Sequence, residues 1–352
     1  MRLTLPGAAA AARCASALRL VAALLLVAVV VVFLGWKLLV RWLDRPLPMT
    51  ESVIVELPAG GNLTRFAGEL AERGVLDLPN WLRFQARLSR VADKVRAGEY
   101  RIEGGTTPRA LLAMLVAGRV VVYNVTLVEG HTAAQFLARL HLQERLLPTL
   151  DSTDATVLAR ALGFDPLAWP SAEGAFLPET YQFHRGMSDA DVLRAAHAAL
   201  EKVLAEEWTA RAPGLPYANP YEALVMASLI EKETGIAAER ARIAGVFVRR
   251  LQQRMLLQTD PTVIYGLGEG FDGNLKREHL RTPGPYNTYL NPGLPPSPIA
   301  SPGRAAIHAA LQPEAGTELY FVARGDGSHE FSNTLEEHNR AVRKYQLRQH
   351  RK

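Results

Sequence analysis

The chain has 352 residues, with 40 Lys or Arg against 35 Asp or Glu and a formal net charge of +5. A hydrophobic share of 48% with 21% charged residues excludes disorder over the whole chain, and the length is enough for two ordinary domains. The single cysteine, Cys14, excludes an intramolecular disulfide framework and a multi-cysteine metal site. The positive excess is small and spread along the chain, so we expect no nucleic-acid partner.

An apolar segment near the N-terminus predicts a membrane anchor. The run from Leu20 to Trp36 is apolar throughout, and with the residues up to Val40 it approaches the roughly 20 residues that a membrane-spanning helix needs. A cleaved signal peptide is the alternative, but no small-x-small cleavage site follows the run. We therefore predict an N-terminal segment at 1–19, a transmembrane helix at 20–40 and a linker at 41–51. Basic residues flank both ends of the span, so charge does not decide its orientation.

Residues 52–150 are predicted to form a small α+β module. A strand at 53–57, helices at 62–73 and 80–88 and a strand near 100–102 make a β-α-α-β unit. The strand-turn-helix pattern recurs 70 residues later, where four positions match Leu57, Gly60, Phe66 and Leu70, namely Leu127, Gly130, Phe136 and Leu140. The unit resembles the LysM type of carbohydrate-binding domain, and a structural domain without a ligand is the alternative.

The segment NPYEALVMASLIEKETG predicts a well-defined helix. Asn219 is a good N-cap, Pro220 suits the first helical position, Glu222 has the spacing of a capping box, and Gly235 is placed to end the helix. Two glutamates near the end of this helix are two residues apart, which separates them by about 200° around the axis. They cannot both point into one cleft.

Glu233 is the candidate proton donor. The residues three, four and seven positions before it are all large and apolar, so its carboxyl should lose hydration, which raises the pKa as a general acid at neutral pH requires. The alternative is a glutamate that reaches solvent or pairs with an arginine such as Arg240 or Arg242. Glu231, on the less apolar face, is predicted to be a structural ion-pair or hydrogen-bond partner.

The loops that follow this helix are rich in Gly and Pro and carry hydrogen-bonding and aromatic side chains. Sugar sites favour that mixture, because hydroxyl and acetamido groups need fixed donors and acceptors while sugar rings stack on aromatic faces. A set of plain turns is the alternative. The predicted substrate-binding residues are Gln258, Thr259, Asp260, Tyr265, Tyr286, Asn287, Thr288, Tyr289 and Asn333.

Five segments resemble, in order and spacing, the motifs of the MltG (YceG-like) family, the membrane-anchored endolytic murein transglycosylases of bacteria. They are ASLIEKETG, LQTDPTVIYG, TPGPYNTY, GLPPSPIASPG and EFSNTLEEHN. The family's catalytic glutamate lies in the EKE segment, and matching that motif places it on Glu233. The resemblance covers nearly the whole chain. It implies an α+β protein with a single transmembrane helix, a LysM-like module and a mixed α/β catalytic domain at 151–352.

The resemblance also implies the reaction, which is non-hydrolytic cleavage of the β-1,4 bond between N-acetylmuramic acid and N-acetylglucosamine in peptidoglycan. Glu233 would serve first as acid and then as base, leaving a 1,6-anhydro end, while Asp260 would position the substrate or support the transition state. No metal or cofactor is expected, since the histidines lack ligand spacing. A hydrolytic muramidase and a non-catalytic wall-binding scaffold are the alternatives.

A peptidoglycan substrate implies a location. The N-terminus would lie in the cytoplasm, residues 20–40 would cross the inner membrane once, and the catalytic domain would be periplasmic. A short tether would keep the enzyme near nascent glycan strands and the peptidoglycan synthases that make them.

Overall fold

The computed structural model describes residues 7–58 and 60–346, with side chains from residue 17 onward. The chain forms two compact units, one ending at Val121 and the other starting at Val122. This division falls well before the predicted boundary between 150 and 151. Most of the predicted segment 1–19 falls within the described backbone, but residues 1–6 lie outside the described residues.

The first unit begins with a long helix, α1 (Gly7–Leu43). Its stretch Ala17–Leu43 is long and apolar enough to cross a membrane, and 18 consecutive residues within it have a mean hydropathy of 3.0. The helix does not end at residue 40, and the segment after it is not a free linker. Trp42, Leu43 and Leu47 are buried in the core of the unit, and the Leu47 amide donates to the Thr106 carbonyl oxygen over 2.8 Å. The expected linker at 41–51 is therefore wrong, because apolar side chains attach this segment to the module.

The β-α-α-β arrangement predicted for the first unit is confirmed. Strand β1 (Val53–Leu57) pairs antiparallel with β2 (Gly98–Ile102), with Val53 opposite Ile102. Helices α2 (Leu63–Glu72) and α3 (Pro79–Leu88) lie between the strands in the sequence, and α4 (Pro108–Ala117) follows them. Inward-facing side chains of the strands and helices form the core, with Phe66 edge-on to Tyr100.

The second unit is built around helices, and its described residues also form a pair of two-stranded antiparallel sheets. Helix α8 lies at the centre and packs against α7, α9, α10 and α11. The elements, in chain order, are β3 (Tyr123–Thr126), α5 (Ala133–His141), α6 (Ala155–Leu162), β4 (Thr180–Phe183), α7 (Asp189–Thr209), α8 (Pro220–Glu233), α9 (Arg240–Gln252), α10 (Asp260–Leu267), α11 (Arg304–Leu311), β5 (Tyr320–Ala323), β6 (His329–Ser332) and α12 (Leu335–Tyr345).

The recurrent strand-turn-helix pattern is real but is divided between the units. Gly60 and Gly130 both adopt the left-handed conformation, with φ of 73° and 74°, and the matched Phe66 and Phe136 are both fully buried. The second copy pairs its strand with β4 and packs its helix against α7. Residues 122–150 therefore belong to the second unit, because their hydrogen bonds and apolar contacts are made there.

Replacing Leu43 by Ala tests whether the end of α1 is part of the module core. Leu43 is 1% exposed, so Leu43→Ala should lower the free energy of unfolding of the first unit by about 2–5 kcal/mol. Hydrogen exchange of the β1 and β2 amides of the full chain in detergent micelles measures this. Leu38→Ala, at a position 58% exposed, is the matched control and should leave exchange unchanged. Equal exchange in the two variants would contradict the buried attachment.

Candidate active site

Helix α8 starts as predicted and ends differently. The Glu222 amide donates to Asn219 Oδ1 over 3.0 Å, which confirms the N-cap. The Glu222 carboxylate accepts from the amide of Ala218 and not from that of Asn219, so the predicted capping box does not form. The helix ends at Glu233 because Thr234 is extended, and Gly235 does not take the left-handed cap conformation.

Most of α8 is buried, so both of the glutamates near its end must be compared in buried surroundings. All residues from Ala223 to Ile230 are buried, and Lys232, between the two glutamates, is exposed. The Glu231 side chain is itself only 7% exposed, and burial raises the pKa of Glu231 as well as that of Glu233. The prediction that apolar neighbours distinguish Glu233 is incomplete, because the Glu231 side chain is enclosed as well. The two carboxyls differ in what lies in front of them.

Glu233 faces a hydroxyl donor and an open cleft. Thr259 Oγ1 donates to Glu233 Oε2 over 2.7 Å. Burial raises the pKa of the Glu233 carboxyl, and the Thr259 hydrogen bond and the charges of His329 and Arg250 partly oppose that rise. Asp260 adds a smaller contribution in the same direction as burial.

Glu231 makes the structural contacts that were expected of it. Its Oε2 accepts from the Gly303 amide over 3.0 Å, and Arg240 Nη2 lies 3.9 Å from its Oε1. Arg242 instead donates to Glu318 over 2.8 Å. The arginines that could have neutralised Glu233 are thus directed to other carboxylates.

The cleft in front of Glu233 has a volume of about 440 Å³. It lies between the end of α8, the segment before α10, the β5-β6 hairpin and α12. Its lining residues are Glu233, Arg250, Leu257, Gln258, Asp260, Leu280, Tyr289, Tyr320, Phe321, Val322, Ala323, His329, Leu335, His338, Val342 and Gln346. In the described part of the chain, no group of three or more His, Cys, Asp or Glu side chains is arranged to hold a metal ion.

Four of the predicted binding residues lie at this cleft. Gln258 and Asp260 line it, Tyr289 donates from its hydroxyl to Asp260 Oδ1 over 2.6 Å, and Thr259 binds Glu233. Gln258 has a positive φ of 50°, and its amide donates to the Thr288 carbonyl oxygen. This constrained turn carries Thr259 beneath the carboxyl.

The other predicted binding residues serve the framework instead. Thr288 Oγ1 accepts from the Thr259 amide, and the buried Asn287 side chain donates to carbonyl oxygens of residues 279, 280 and 282. Tyr265 and Tyr286 pack edge-on, and their hydroxyls bind Glu173 and Ser297. Asn333 accepts from the Thr317 hydroxyl just before α12. None of these five side chains lines the cleft, since their polar atoms are used in holding loops together.

Two basic side chains at the cleft, Arg250 and His329, were not predicted. Arg250 is buried, and its guanidinium donates to carbonyl oxygens of Leu256, Leu257 and Leu319. His329 Nδ1 lies 2.8 Å from Glu239 Oε2. The helical period of α9 could have predicted the burial of Arg250. Arg250 lies three residues after Phe247 and seven after Ile243, so it shares a helix face with these two buried side chains. No local pattern marks His329, whose position depends on a contact across 90 residues.

Comparisons with known proteins agree with the resemblance of the sequence motifs to the YceG-like family. The sequence model of the YceG-like family matches residues 55–344. The chain belongs to the YceG-like family. The endolytic murein transglycosylase of Bacillus subtilis is 30% identical over 84% of this chain and 85% of its own length. The endolytic murein transglycosylase of Streptococcus pneumoniae serotype 2 is 28% identical over 85% of this chain and 60% of its own length.

A solved structure supports the fold of this YceG-like chain. The crystal structure of a yceG-like protein from Listeria monocytogenes is 29% identical and superposes with a TM-score of 0.53. It covers 83% of this chain and 99% of the Listeria chain.

Another buried carboxyl of this YceG-like chain, that of Glu173, does not line the cleft. Glu173 is 3% exposed and accepts from the amides of Ala133 and Gly174 and from the Tyr265 hydroxyl. Burial raises the pKa of Glu173 to about 7, against an ordinary value of 4.5, and the three donors partly oppose the rise.

Glu173 should make stability depend on pH. Because the pKa of Glu173 is raised in the folded chain, Glu173 is protonated there between pH 4.5 and about 7. In the unfolded chain the same carboxyl is ionised over that range. The free energy of unfolding should therefore fall by about 3 kcal/mol as pH rises through this range. Glu173→Gln removes that dependence. Denaturant unfolding of the full chain in detergent, compared between the two proteins at several pH values, measures it, and parallel pH curves would contradict the assignment.

Proposed function

We propose that this chain is a membrane-anchored endolytic murein transglycosylase that cleaves peptidoglycan glycan strands. Its curated relatives carry that name. The observation that carries the proposal is Glu233, a desolvated carboxyl with a hydroxyl partner at the wall of an open cleft. A raised pKa favours the protonated form of such a carboxyl, which is the form that a general acid needs.

One carboxyl performs both proton transfers in the proposed reaction. Protonated Glu233 gives its proton to the glycosidic oxygen between N-acetylmuramic acid and N-acetylglucosamine as the C1–O bond breaks. The Glu233 carboxylate then takes the proton of the muramyl C6 hydroxyl, whose oxygen attacks C1. The products are a new N-acetylglucosamine hydroxyl and a 1,6-anhydro-N-acetylmuramic end, and the glutamate is protonated again.

Arg250 and His329 support the middle of this cycle. After the first transfer Glu233 is a largely buried anion, and a buried anion needs nearby positive charge or donors. The hydrogen bonds of Arg250 described above all go to carbonyl oxygens, so they do not neutralise its charge. Arg250 and His329 both line the same cleft as Glu233. They stabilise the carboxylate form, while Thr259 supplies the direct hydrogen bond.

Asp260 takes a positioning role. It is exposed at the cleft, and the Tyr289 hydroxyl donates to it over 2.6 Å. This pair presents fixed polar atoms beside Gln258, which suits contacts with sugar hydroxyl or acetamido groups. A single-acid mechanism does not require Asp260 to act as the second carboxylate of an ordinary glycosidase.

Glu233→Gln tests the proton donor directly. The amide keeps the shape of the side chain but has no acidic proton, so kcat should fall on the order of 10²–10⁴-fold while glycan binding is kept. Digestion of purified wall glycan, followed by mass spectrometry of the products, measures this. Glu231→Gln is the control, since it changes a buried carboxyl on the same helix that does not line the cleft, and it should keep most of the activity. Full activity in Glu233→Gln would refute the mechanism.

The mass of the new ends separates the proposal from a hydrolytic muramidase. Transglycosylation leaves anhydro ends that are lighter by one water than hydrolytic ends. Products with reducing ends would favour the hydrolase, and binding without any product from the wild-type chain would favour a wall-binding scaffold.

Thr259→Val tests whether the Thr259 hydroxyl lowers the pKa of the Glu233 carboxyl. The Thr259 hydroxyl donates to the Glu233 carboxylate and therefore lowers the pKa of Glu233, opposing burial. Without it the pKa rises, and the alkaline limb of the pH–rate profile should move up by about one to two pH units. Thr262→Val is the matched control, because the Thr262 hydroxyl is buried nearby and donates to a carbonyl oxygen. A limb that stays in place, or moves down, would contradict the role of Thr259.

The location follows from the substrate and the apolar helix. We propose that α1 crosses the inner membrane once with the N-terminus in the cytoplasm and the second unit in the periplasm. The LysM-like module is then the β-α-α-β part of the first unit, at 53–102, and its proposed role is to hold glycan near the bilayer. This arrangement favours action on nascent strands beside peptidoglycan synthases.

A further inference from the structure

Helix α3 of the first unit carries an apolar face that the module core does not cover. Leu82 and Ala86 point inward and are fully buried. On another face, Phe84 is 56% exposed and Leu88 52% exposed, and the half-buried Trp81 lies three residues before Phe84. Side chains spaced by three, four and seven residues share one side of a helix, so these three form an outward apolar row.

This row borders the anchor helix. A groove of about 510 Å³ lies between α1 and α3, and its lining residues are Val32, Gly35, Trp36, Leu39, Trp81 and Phe84. Gly35 has no side chain there and leaves open space, so an added Cβ would meet no atom within 4 Å. The groove is therefore apolar on both walls and open.

The groove is held in place by the way α1 enters the module. Leu39, Trp42 and Leu43 are buried in the module core. The Trp42 indole nitrogen donates to Asp77 Oδ1 over 2.8 Å just before α3, and the Trp42 ring lies edge-on to Trp81 at 5.8 Å. These contacts fix α3 beside α1, so its depth in a membrane follows from that of α1.

That depth places α3 at the membrane boundary. Val32 lies inside the apolar run that ends at Trp36, and the distance along the axis from Val32 to Leu39 is about 10 Å. If the run fills the hydrocarbon layer, Phe84, which shares the groove with Val32, lies at the level of the lipid acyl chains or the boundary just outside them.

The charges near the groove fit a lipid headgroup layer. Helix α3 contains Arg83 and Arg87 and no acidic residue, and Arg90 follows it. Lys37 and Arg41 lie exposed on α1 close to the end of the apolar run. Long basic side chains beside an apolar helix face reach lipid phosphates while their stems stay near the acyl chains.

We propose that α3 lies in the outer boundary of the bilayer, with Trp81, Phe84 and Leu88 facing lipid and an acyl chain filling the groove beside Gly35. This inference rests on the proposed membrane anchor. The module is thereby attached to the membrane surface by two elements, one that crosses the bilayer and one that lies along it.

Site-directed spin labelling of the full chain tests this contact. Single cysteines are introduced on a Cys14→Ser background by Phe84→Cys and Leu88→Cys, and the chain is reconstituted in vesicles containing phosphatidylglycerol. Val29→Cys reports the anchor, and Glu72→Cys reports an exposed acidic position of the same unit. Accessibility to oxygen, which concentrates in lipid, is compared with accessibility to a water-soluble nickel chelate.

We expect labels at 84 and 88 to behave like the label at 29, with a ratio of oxygen to nickel accessibility several-fold above that at 72. Labels at 84 and 88 that match 72 while 29 reports lipid would overturn the inference and leave the anchor intact. Labels at 84 and 88 shielded from both reagents would overturn it in favour of a protein partner. A label at 29 that matches 72 would refute the anchor itself, and with it this contact.

Discussion

The enclosure of α8 is the constraint on which the proposed chemistry depends. Helices α7, α9, α10 and α11 pack around it, so a carboxyl near its C-terminal end that points away from the exposed position of Lys232 loses hydration. Two glutamates occupy that end. Glu231 meets the Gly303 amide and Arg240, whereas Glu233 meets a threonine hydroxyl and empty space. Burial is thus the main cause of the raised pKa of both carboxyls, and the neighbouring loop decides which of them is available to a substrate.

Hydrogen bonds between the loops explain how the turn that carries Thr259 is held in place beside Glu233. Asn287 and Thr288 occupy their polar groups in binding backbone atoms, and this fixes the turn that presents Thr259. Arg250 joins the end of α9 to the carbonyl oxygens of Leu257 and Leu319, so the same cation braces the cleft and faces it. A site that performs acid and base steps with one carboxyl needs this balance, since burial favours the neutral form and the nearby donors and charges favour the anion.

Local patterns in the sequence predicted the local structure well. The Asn219 cap, the β-α-α-β order and the repeated turn at Gly60 and Gly130 depend on residues close in the chain, where backbone preferences act. The linker at 41–51 and the boundary at 150 failed because they depend on which distant side chains cover an apolar segment. The same limit applies to the site. A polar side chain in a Gly- and Pro-rich loop looks alike whether it faces substrate or holds a carbonyl oxygen, so Asn287, Tyr265 and Asn333 were not separable from Gln258 and Tyr289.

The central claim is that the Glu233 carboxyl is held neutral by its surroundings until substrate binds. Infrared difference spectra between the wild-type chain and Glu233→Gln, recorded across pH, report the carboxyl and carboxylate bands of that one group. We expect its titration to lie above the ordinary range of a glutamate, as the direction of its pKa shift requires. A Glu233 that ionises at or below the ordinary value would contradict the account.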